Sequence, residues 1–471
     1  MQTEPTFAVV GHPNKGKSSI VAALTHTDSV SISALSGTTT QAQTFSFYLA
    51  GQPLYHLVDT PGFQRPRQLL ELIEQYAGDA SERVAAIQTF IDDFQRNSQT
   101  QPQSGSAVSP RFKDEVELLS PILAGAGILY VVDGSVPYTP EYEAEMTLLQ
   151  WTGQPRMALI NPIGGEHYIE QWQNALGQFF SLVRVFNPMS ATIDKQCAVL
   201  SAFAQLCPAW QASLERSQQL IRQQQEQHCE QAAYAIAQFM ADACQYSTEL
   251  PLPSDAVKDA LRQQLQRQYK HGLTQREQRY QAAISVLYAH QNLRSYGDEL
   301  ALDYPDIFDQ SAWYLFGLSR QKLVALSASA GAAAGAILDV GVGGASLMTG
   351  ALLGGLTSGA ASFYFSSEPE KIRLQKMPLG GQKLMAGPVK NLQFAFVLLG
   401  RALRFQRAVA EHSHANRDVL QLQYDNNEHW LQVLAKSEQL ALTRLLQKAH
   451  KGLGARELEK LQAIVLQLVV A

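Results

Sequence analysis

The stretch Gly11-His12-Pro13-Asn14-Lys15-Gly16-Lys17-Ser18 matches the phosphate-loop pattern G-x-x-x-x-G-K-[ST] at every fixed position. The spacing has a chemical reason. Two glycines let the backbone curl so that successive N–H groups point inward at phosphate oxygens, and the following helix adds its positive N-terminal end. Lys17 is placed to reach the β- and γ-phosphates, Ser18 to offer its hydroxyl to Mg²⁺, and Ser19 completes the nucleotide-binding set. The flanks agree with this reading. Thr6-Phe7-Ala8-Val9-Val10 is a short apolar run expected to be a buried strand, and the segment from Ser18 to Leu24 reads as the start of a helix.

At 471 residues the chain is long enough for two or three domains. Its 37 basic and 42 acidic side chains leave a net charge of −5, a balance that indicates no nucleic-acid partner. Cys197, Cys207, Cys229 and Cys244 show no C-x-x-C spacing, and a strand beginning at the sixth residue leaves no room for a signal peptide. Free thiols and a cytoplasmic location are therefore expected.

Downstream of the first helix, Ser36-Gly37-Thr38-Thr39-Thr40 forms a threonine-rich loop that leads into an alternating run from Ala42 to Ala50. Gly51-Gln52-Pro53 turns the chain into a second strand, Leu54 to Asp59, and the pair reads as an antiparallel hairpin. That second strand ends in Asp59-Thr60-Pro61-Gly62. A carboxylate at a strand's C-terminal end can hold Mg²⁺ through water, and the Gly62 N–H can bond a γ-phosphate.

In combination, GHPNKGKSS, SGTTT and DTPG resemble the translation-factor-like GTPases of the TrmE, Era and EngA group over roughly the first two hundred residues. The resemblance implies GTP and GDP as ligands, and a switch in which Thr39, or its neighbour Thr38, closes on Mg²⁺ when the γ-phosphate is present. It also implies that Asn14 holds K⁺ beside the phosphates, as in the potassium-activated members; the alternative is an asparagine kept for its turn propensity. Phe63 stands where Ras-like enzymes carry the glutamine that orients the attacking water. An apolar ring cannot do this, so slow hydrolysis is expected unless a cation, a partner or nucleotide-dependent dimerisation supplies the missing contact. The catalytic set expected on these grounds is Lys17, Asn14, Thr39 and Gly62, with Ser18, Thr39 and Asp59 as the Mg²⁺ ligands.

Residues 66–94 have a helical pattern and residues 97–106 are polar and rich in turn formers, which together enlarge the second switch to 64–120. Then come a helix near 112–123, the apolar strand Gly127 to Asp133, a helix near 142–151 and the strand Met157 to Ile160. In the family this last strand should lead into N-K-x-D, whose aspartate selects guanine. Here the chain reads Asn161-Pro162-Ile163-Gly164. Asn161 is kept for the nucleotide, but without the carboxylate the choice between guanine and adenine loses its usual basis, with Glu166 as a substitute or a plain solvated side chain. A helix through Trp172, Leu176 and Phe179, a strand from Leu182 to Phe186, a base-contacting Ser190-Ala191 pair and a helix to Leu206 complete an expected domain at 1–208.

From Ala209 onward strand patterns vanish. Ile236, Phe239, Met240 and Ala243 share a helical face, Val257, Leu261 and Leu265 another after Ser254, and Thr274-Gln275-Arg276-Glu277 reads as a capping box. Residues 327–365 are almost entirely small or aliphatic, with Asp339 the lone charge and small-x-x-x-small spacings at Gly331/Gly335 and Gly350/Gly354. This segment could insert in lipid or pack within a helical domain. The run Leu392 to Leu403, flanked by Arg401, Arg404 and Arg407, fits either a bilayer surface or ordinary packing. Glu411-His412-Ser413-His414 carries candidate metal ligands, read as a solvated helix end. The chain is similar to a bacterial family in which an Era-like GTPase domain is fused to a helical domain of unknown role.

The expected fold is thus an α/β P-loop GTPase domain, a mostly parallel sheet with one antiparallel hairpin, followed by an all-α domain at 209–471. The expected function is a GTP-binding, slowly hydrolysing switch whose helical part acts on a protein partner or a membrane, the chain being cytoplasmic and peripheral to or inserted in the inner membrane. A nucleotide-gated membrane-inserting protein and an ATPase are the alternatives.

Overall fold

A computed structural model of the chain describes residues 4–25, 41–49, 51–99, 110–253, 258–288, 373–376, 382–412 and 428–471. Thr38 and Thr39, the Gly/Ala-rich segment 327–365, the Ser254 cap, the polar stretch from residue 100 to 106 and His414 lie outside the described residues. The chain forms two compact units, Met1–Gln225 with Glu411–Asp418, and Glu226–Ala410 with Val419–Ala471.

In the first unit, β1 (Thr6–Val10), β2 (Gln43–Leu49), β3 (Gln52–Asp59), β4 (Gly127–Asp133), β5 (Arg156–Asn161) and β6 (Val183–Val185) form one sheet of order β2-β3-β1-β4-β5-β6. All neighbouring strands are parallel except the β2–β3 hairpin. Both faces of the sheet are covered. Phe7 and Val9 face one apolar cluster with Ile20, Phe203 and Leu200, whereas Ala8 and Val10 face another with Phe90, Leu119 and Trp172. That two-sided burial is why β4 is an unbroken apolar run, buried at every position.

The helices are α1 (Lys17–Thr25), α2 (Pro66–Glu74), α3 (Arg83–Gln99), α4 (Lys113–Leu123), α5 (Glu143–Trp151), α6 (Ile169–Leu176) and α7 (Ile193–Leu206). Two boundaries differ from expectation. The helical pattern of 66–94 divides into α2 and α3, and α3 continues through Asn97 to Gln99 where a loop was expected. Helix α6 stops at Leu176, and Phe179 packs as a loop residue beyond Gly177.

The second unit is helical, with the end of α8 (Gln211–Gln245), α9 (Lys258–Leu287), α10 (Leu392–Glu411), α11 (Lys436–Ala449) and α12 (Ala455–Val470) around one apolar core. The expectation that strands end at residue 209 is corrected: β7 (Thr248–Leu252), β8 (Arg373–Lys376) and β9 (Gln382–Ala386) form an antiparallel sheet of order β7-β9-β8. Strand β7 spans five residues, one of them Pro251, and pairs with Gln382 to Ala386, far along the chain, so no local pattern announces it.

Thr274 to Glu277 lies inside α9 and starts no helix; instead Glu277 is held by Arg401, with Nε and Nη2 donating to its two carboxylate oxygens at 2.8 and 3.1 Å. The run Leu392 to Leu403 is a buried core helix, leaving it no free apolar face for a bilayer. No described helix is long and apolar enough to cross a membrane. All four cysteines are free thiols.

Candidate nucleotide site

The loop between β1 and α1 is shaped by backbone demands its sequence meets. Gly11 has φ +142° and a Cβ there would lie 2.4 Å from the Val131 carbonyl oxygen, so only glycine fits against β4. Asn14 is the one non-glycine residue with positive φ among the described residues, at 62°, a conformation asparagine tolerates better than most. Lys17 folds back over this loop, donating to the carbonyls of Gly11 at 3.3 Å and His12 at 3.2 Å. It is 7% exposed, and burial pulls its ammonium down to about 8 against the opposing pull of the Asp59 and Glu145 carboxylates.

At the start of α1, the Ser18 hydroxyl donates to Asp59 Oδ2 at 2.6 Å, so the two oxygens expected from the sequence as metal ligands meet at a helix N-terminus. Asp59 ends β3 beside the loop because β3 pairs parallel with β1, and it is 4% exposed. The next turn is tied down in sequence: Thr60 Oγ1 donates to the Val9 carbonyl at 2.8 Å and the Phe63 N–H to the Gly11 carbonyl at 3.3 Å. Phe63 is fully buried in the core with Ile87, Phe90 and Phe112. Its ring is thus packed among apolar side chains and not exposed to solvent.

Two carboxylates that sequence reading overlooked brace this site. Glu145 on α5 is buried, accepts from the Tyr130 hydroxyl at 2.9 Å, and meets His12 Nδ1 at 2.9 Å. Burial and that carboxylate push the Tyr130 hydroxyl far above its ordinary value, which keeps it a donor. Glu115 on α4 is buried and its Oε1 accepts from the N–H groups of Gln64 (3.0 Å) and Arg65 (2.6 Å), the first residues of the second switch. Two positions away, Glu117 Oε2 accepts from the Ala42 N–H at 3.3 Å. A glutamate in an otherwise apolar helical stripe is the only trace of these roles in the sequence.

At the ends of β4 and β5, Asn161 donates from Nδ2 to the Lys15 carbonyl at 3.2 Å, joining the degenerate motif to the phosphate loop. A Cβ on Gly16 would meet that same Nδ2 at 2.2 Å. Glu166 is exposed on the following turn, and Ser190 is exposed after β6 with Ala191 half-buried. The structure thus brings together Gly11 to Ser19, Asp59, Gly62 and Asn161.

Residues 173–469 match the family described as a domain of unknown function, DUF3482. The chain belongs to the DUF3482 family. Residues 6–161 of this DUF3482 protein match a second family, described as 50S ribosome-binding GTPase. Its sequence is similar to GTPase Der of Agathobacter rectalis, 37% identical over 92 residues that cover 19% of this chain and 21% of that protein. GTPase Der of Desulfitobacterium hafniense is 42% identical over 77 residues, 16% of this chain and 17% of that one. GTPase Der of Flavobacterium johnsoniae is 37% identical over 103 residues, 21% and 23% respectively. The chain therefore spans about a fifth of the length of these curated relatives.

Among solved structures, Era in complex with MgGDPNP and part of 16S ribosomal RNA is 14% identical with a TM-score of 0.29, covering 43% of this chain and 57% of that one. An Aquifex aeolicus Era variant bound to GDP.AlF4⁻ is 16% identical with a TM-score of 0.28, covering 42% and 56%. Neither likeness bears on what this chain binds. The N-terminal domain of the DUF3482 protein thus combines a mostly parallel sheet and a phosphate loop with a match, over residues 6–161, to the family described as 50S ribosome-binding GTPase.

Proposed function

We propose that the chain is a slow, Mg²⁺-dependent GTPase switch whose helical region carries the output. The observation that supports it is the convergence of Lys17, the Ser18–Asp59 pair and Gly62 on one phosphate loop, with Phe63 turned into the core. The donors suit the metal: a serine hydroxyl and a carboxylate are hard oxygen ligands of the kind Mg²⁺ takes beside phosphates. When bound, Mg²⁺ would neutralise charge on the phosphate oxygens. Ser18 and Asp59 would hold it, with Thr39 from the first switch, while Lys17 and the loop N–H groups bind the phosphates and Gly62 N–H marks the γ position.

The buried Phe63 leaves no side chain at that position to orient water, so the lone chain hydrolyses slowly. K⁺ at Asn14, a protein partner or a nucleotide-dependent dimer would supply the missing contact. The helical region would act on a protein partner, or on a membrane through residues 327–365, from a cytoplasmic position at the inner membrane. Deleting 327–365 and fractionating cells separates the last two: a protein partner leaves the full and shortened chains equally soluble.

Hydrolysis of GTP and ATP measured in KCl and in NaCl, with Lys17→Ala as the blank, tests the reading. Slow GTP turnover raised by K⁺ supports it. A lone chain as fast as a stimulated GTPase overturns the role given to Phe63, and a clear ATP preference overturns the choice of nucleotide.

A further inference from the structure

We infer that Ser135, oriented by Asp133, reads the guanine base in place of the aspartate missing at Gly164, with Lys15 and Asn161 completing the set. This rests on the GTP reading above and deepens it.

The groups come from three segments that the sheet brings together. Asp133 ends β4 and lies opposite Asn161, which ends β5. Their turns are joined, since the Gly134 N–H donates to the Asn161 carbonyl at 2.9 Å and the Tyr168 N–H to the Gly134 carbonyl at 3.1 Å. Asn161 is in turn bonded to the Lys15 carbonyl. The Lys15 ammonium lies 3.6 Å from Asp133 Oδ2, and both side chains are largely buried. An ammonium and a carboxylate, the two charges absent from Pro162 and Gly164, thus stand beside Asn161 after all, contributed by the phosphate loop and by β4.

Ser135 occupies the decisive place. A Cβ built on Gly164 would lie 3.2 Å from Ser135 Oγ and 3.3 Å from its Cβ, so Ser135 fills the space into which a side chain at 164 would project. Its hydroxyl donates to Asp133 Oδ1 at 2.6 Å, and its N–H donates to the same oxygen at 2.9 Å. With its proton committed to a carboxylate, Ser135 Oγ offers only lone pairs outward. An acceptor at this point suits guanine, whose Watson–Crick edge presents N1–H and N2–H donors, and opposes adenine, whose N1 is itself an acceptor. Ile163, 54% exposed, lies over Gly16 with its Cδ1 3.8 Å from where a Cβ there would stand, and provides an apolar surface next to the loop.

The test is equilibrium binding of fluorescently labelled GTP and ATP to the full chain and its variants, each checked by its thermal melt. The wild type is expected to prefer GTP. Ser135→Ala is expected to weaken GTP binding on the order of tenfold and leave ATP binding unchanged, the effect of one lost, half-buried acceptor. Ser135→Cys, of similar size but a weaker acceptor, should fall between. Asp133→Ala, which removes the oxygen that accepts the serine proton, should likewise narrow the preference. In Ser135→Gly/Gly164→Asp, where both the Oγ and the Cβ that a side chain at 164 would meet are gone, the space admits a carboxylate and the GTP preference should return; a merely structural Ser135 would not allow this rescue. A wild type that binds neither nucleotide defeats the GTPase reading itself. A wild type that binds both equally, or a Ser135→Ala chain with its full GTP preference, overturns the inference alone.

Discussion

A Cβ on Gly62 would lie 2.5 Å from the backbone nitrogen of Pro13, so the loop after β3 and the phosphate loop touch backbone to backbone. No flexible side chain can yield there. Gly62→Ala is expected to cost about 1–3 kcal/mol of stability and to weaken nucleotide binding, because one of the two loops must retreat. Denaturant melts with and without GDP check this, and an unchanged midpoint together with unchanged GDP affinity would disprove the close approach.

Lys17 makes binding and stability respond to pH in opposite directions. Its folded value is about 8 against an ordinary 10.5, so between these the unfolded chain holds the extra proton. Stability of the nucleotide-free protein therefore gains from this group as pH rises through that window. Phosphate needs the ammonium, so nucleotide affinity should fall roughly tenfold per pH unit above 8. Lys17→Ala should abolish both trends, which titration calorimetry and melts across pH 7–10 would show.

Glu115 anchors the second switch to α4 through two backbone N–H groups, and its Oε2 is buried without a hydrogen-bond partner among the described residues. Glu115→Ala leaves both N–H groups unmet, which should cost about 1–3 kcal/mol and speed amide exchange at Gln64 and Arg65. Glu115→Gln keeps an acceptor oxygen and should lose less. Exchange at these two amides that does not change in Glu115→Ala would rule out the anchor.

Phe63 is a core residue in a switch position. Phe63→Gln should lower stability without raising hydrolysis, since the polar group is buried and not presented to water, and Phe63→Ala should cost about 3–5 kcal/mol. Faster turnover in Phe63→Gln would mean that position 63 reaches the phosphates.

In the helical unit, Arg401 and Glu277 form a buried pair with both guanidinium contacts to the carboxylate. Removing either partner alone should cost about 3–5 kcal/mol, because the other charge is left buried. The double change Arg401→Met/Glu277→Leu replaces both charges with apolar side chains and should be neutral or stabilising. A chemical melt of each variant decides it.

The hydropathy of β1, β4 and β5 and the glycines of the phosphate loop made the N-terminal α/β domain legible, because a buried parallel strand and a phosphate cradle each demand particular residues at fixed spacing. The helical faces of the second unit were equally plain from their period. Strand β7, by contrast, depends on a partner near residue 384, and Thr274 to Glu277 satisfies a capping pattern while Glu277 serves a salt bridge to Arg401.

The phosphate loop, the order of its companion motifs and the family follow from the residues alone, since they are set by which backbone conformations glycine, asparagine and lysine permit. Where Phe63 points, and which carboxylates stand beside the loop, depend on the folded arrangement. Glu145, Glu115 and Asp133 reach the site from helices and strands remote in sequence, and the hydrogen bonds that give them their roles arise when the sheet closes its pairings.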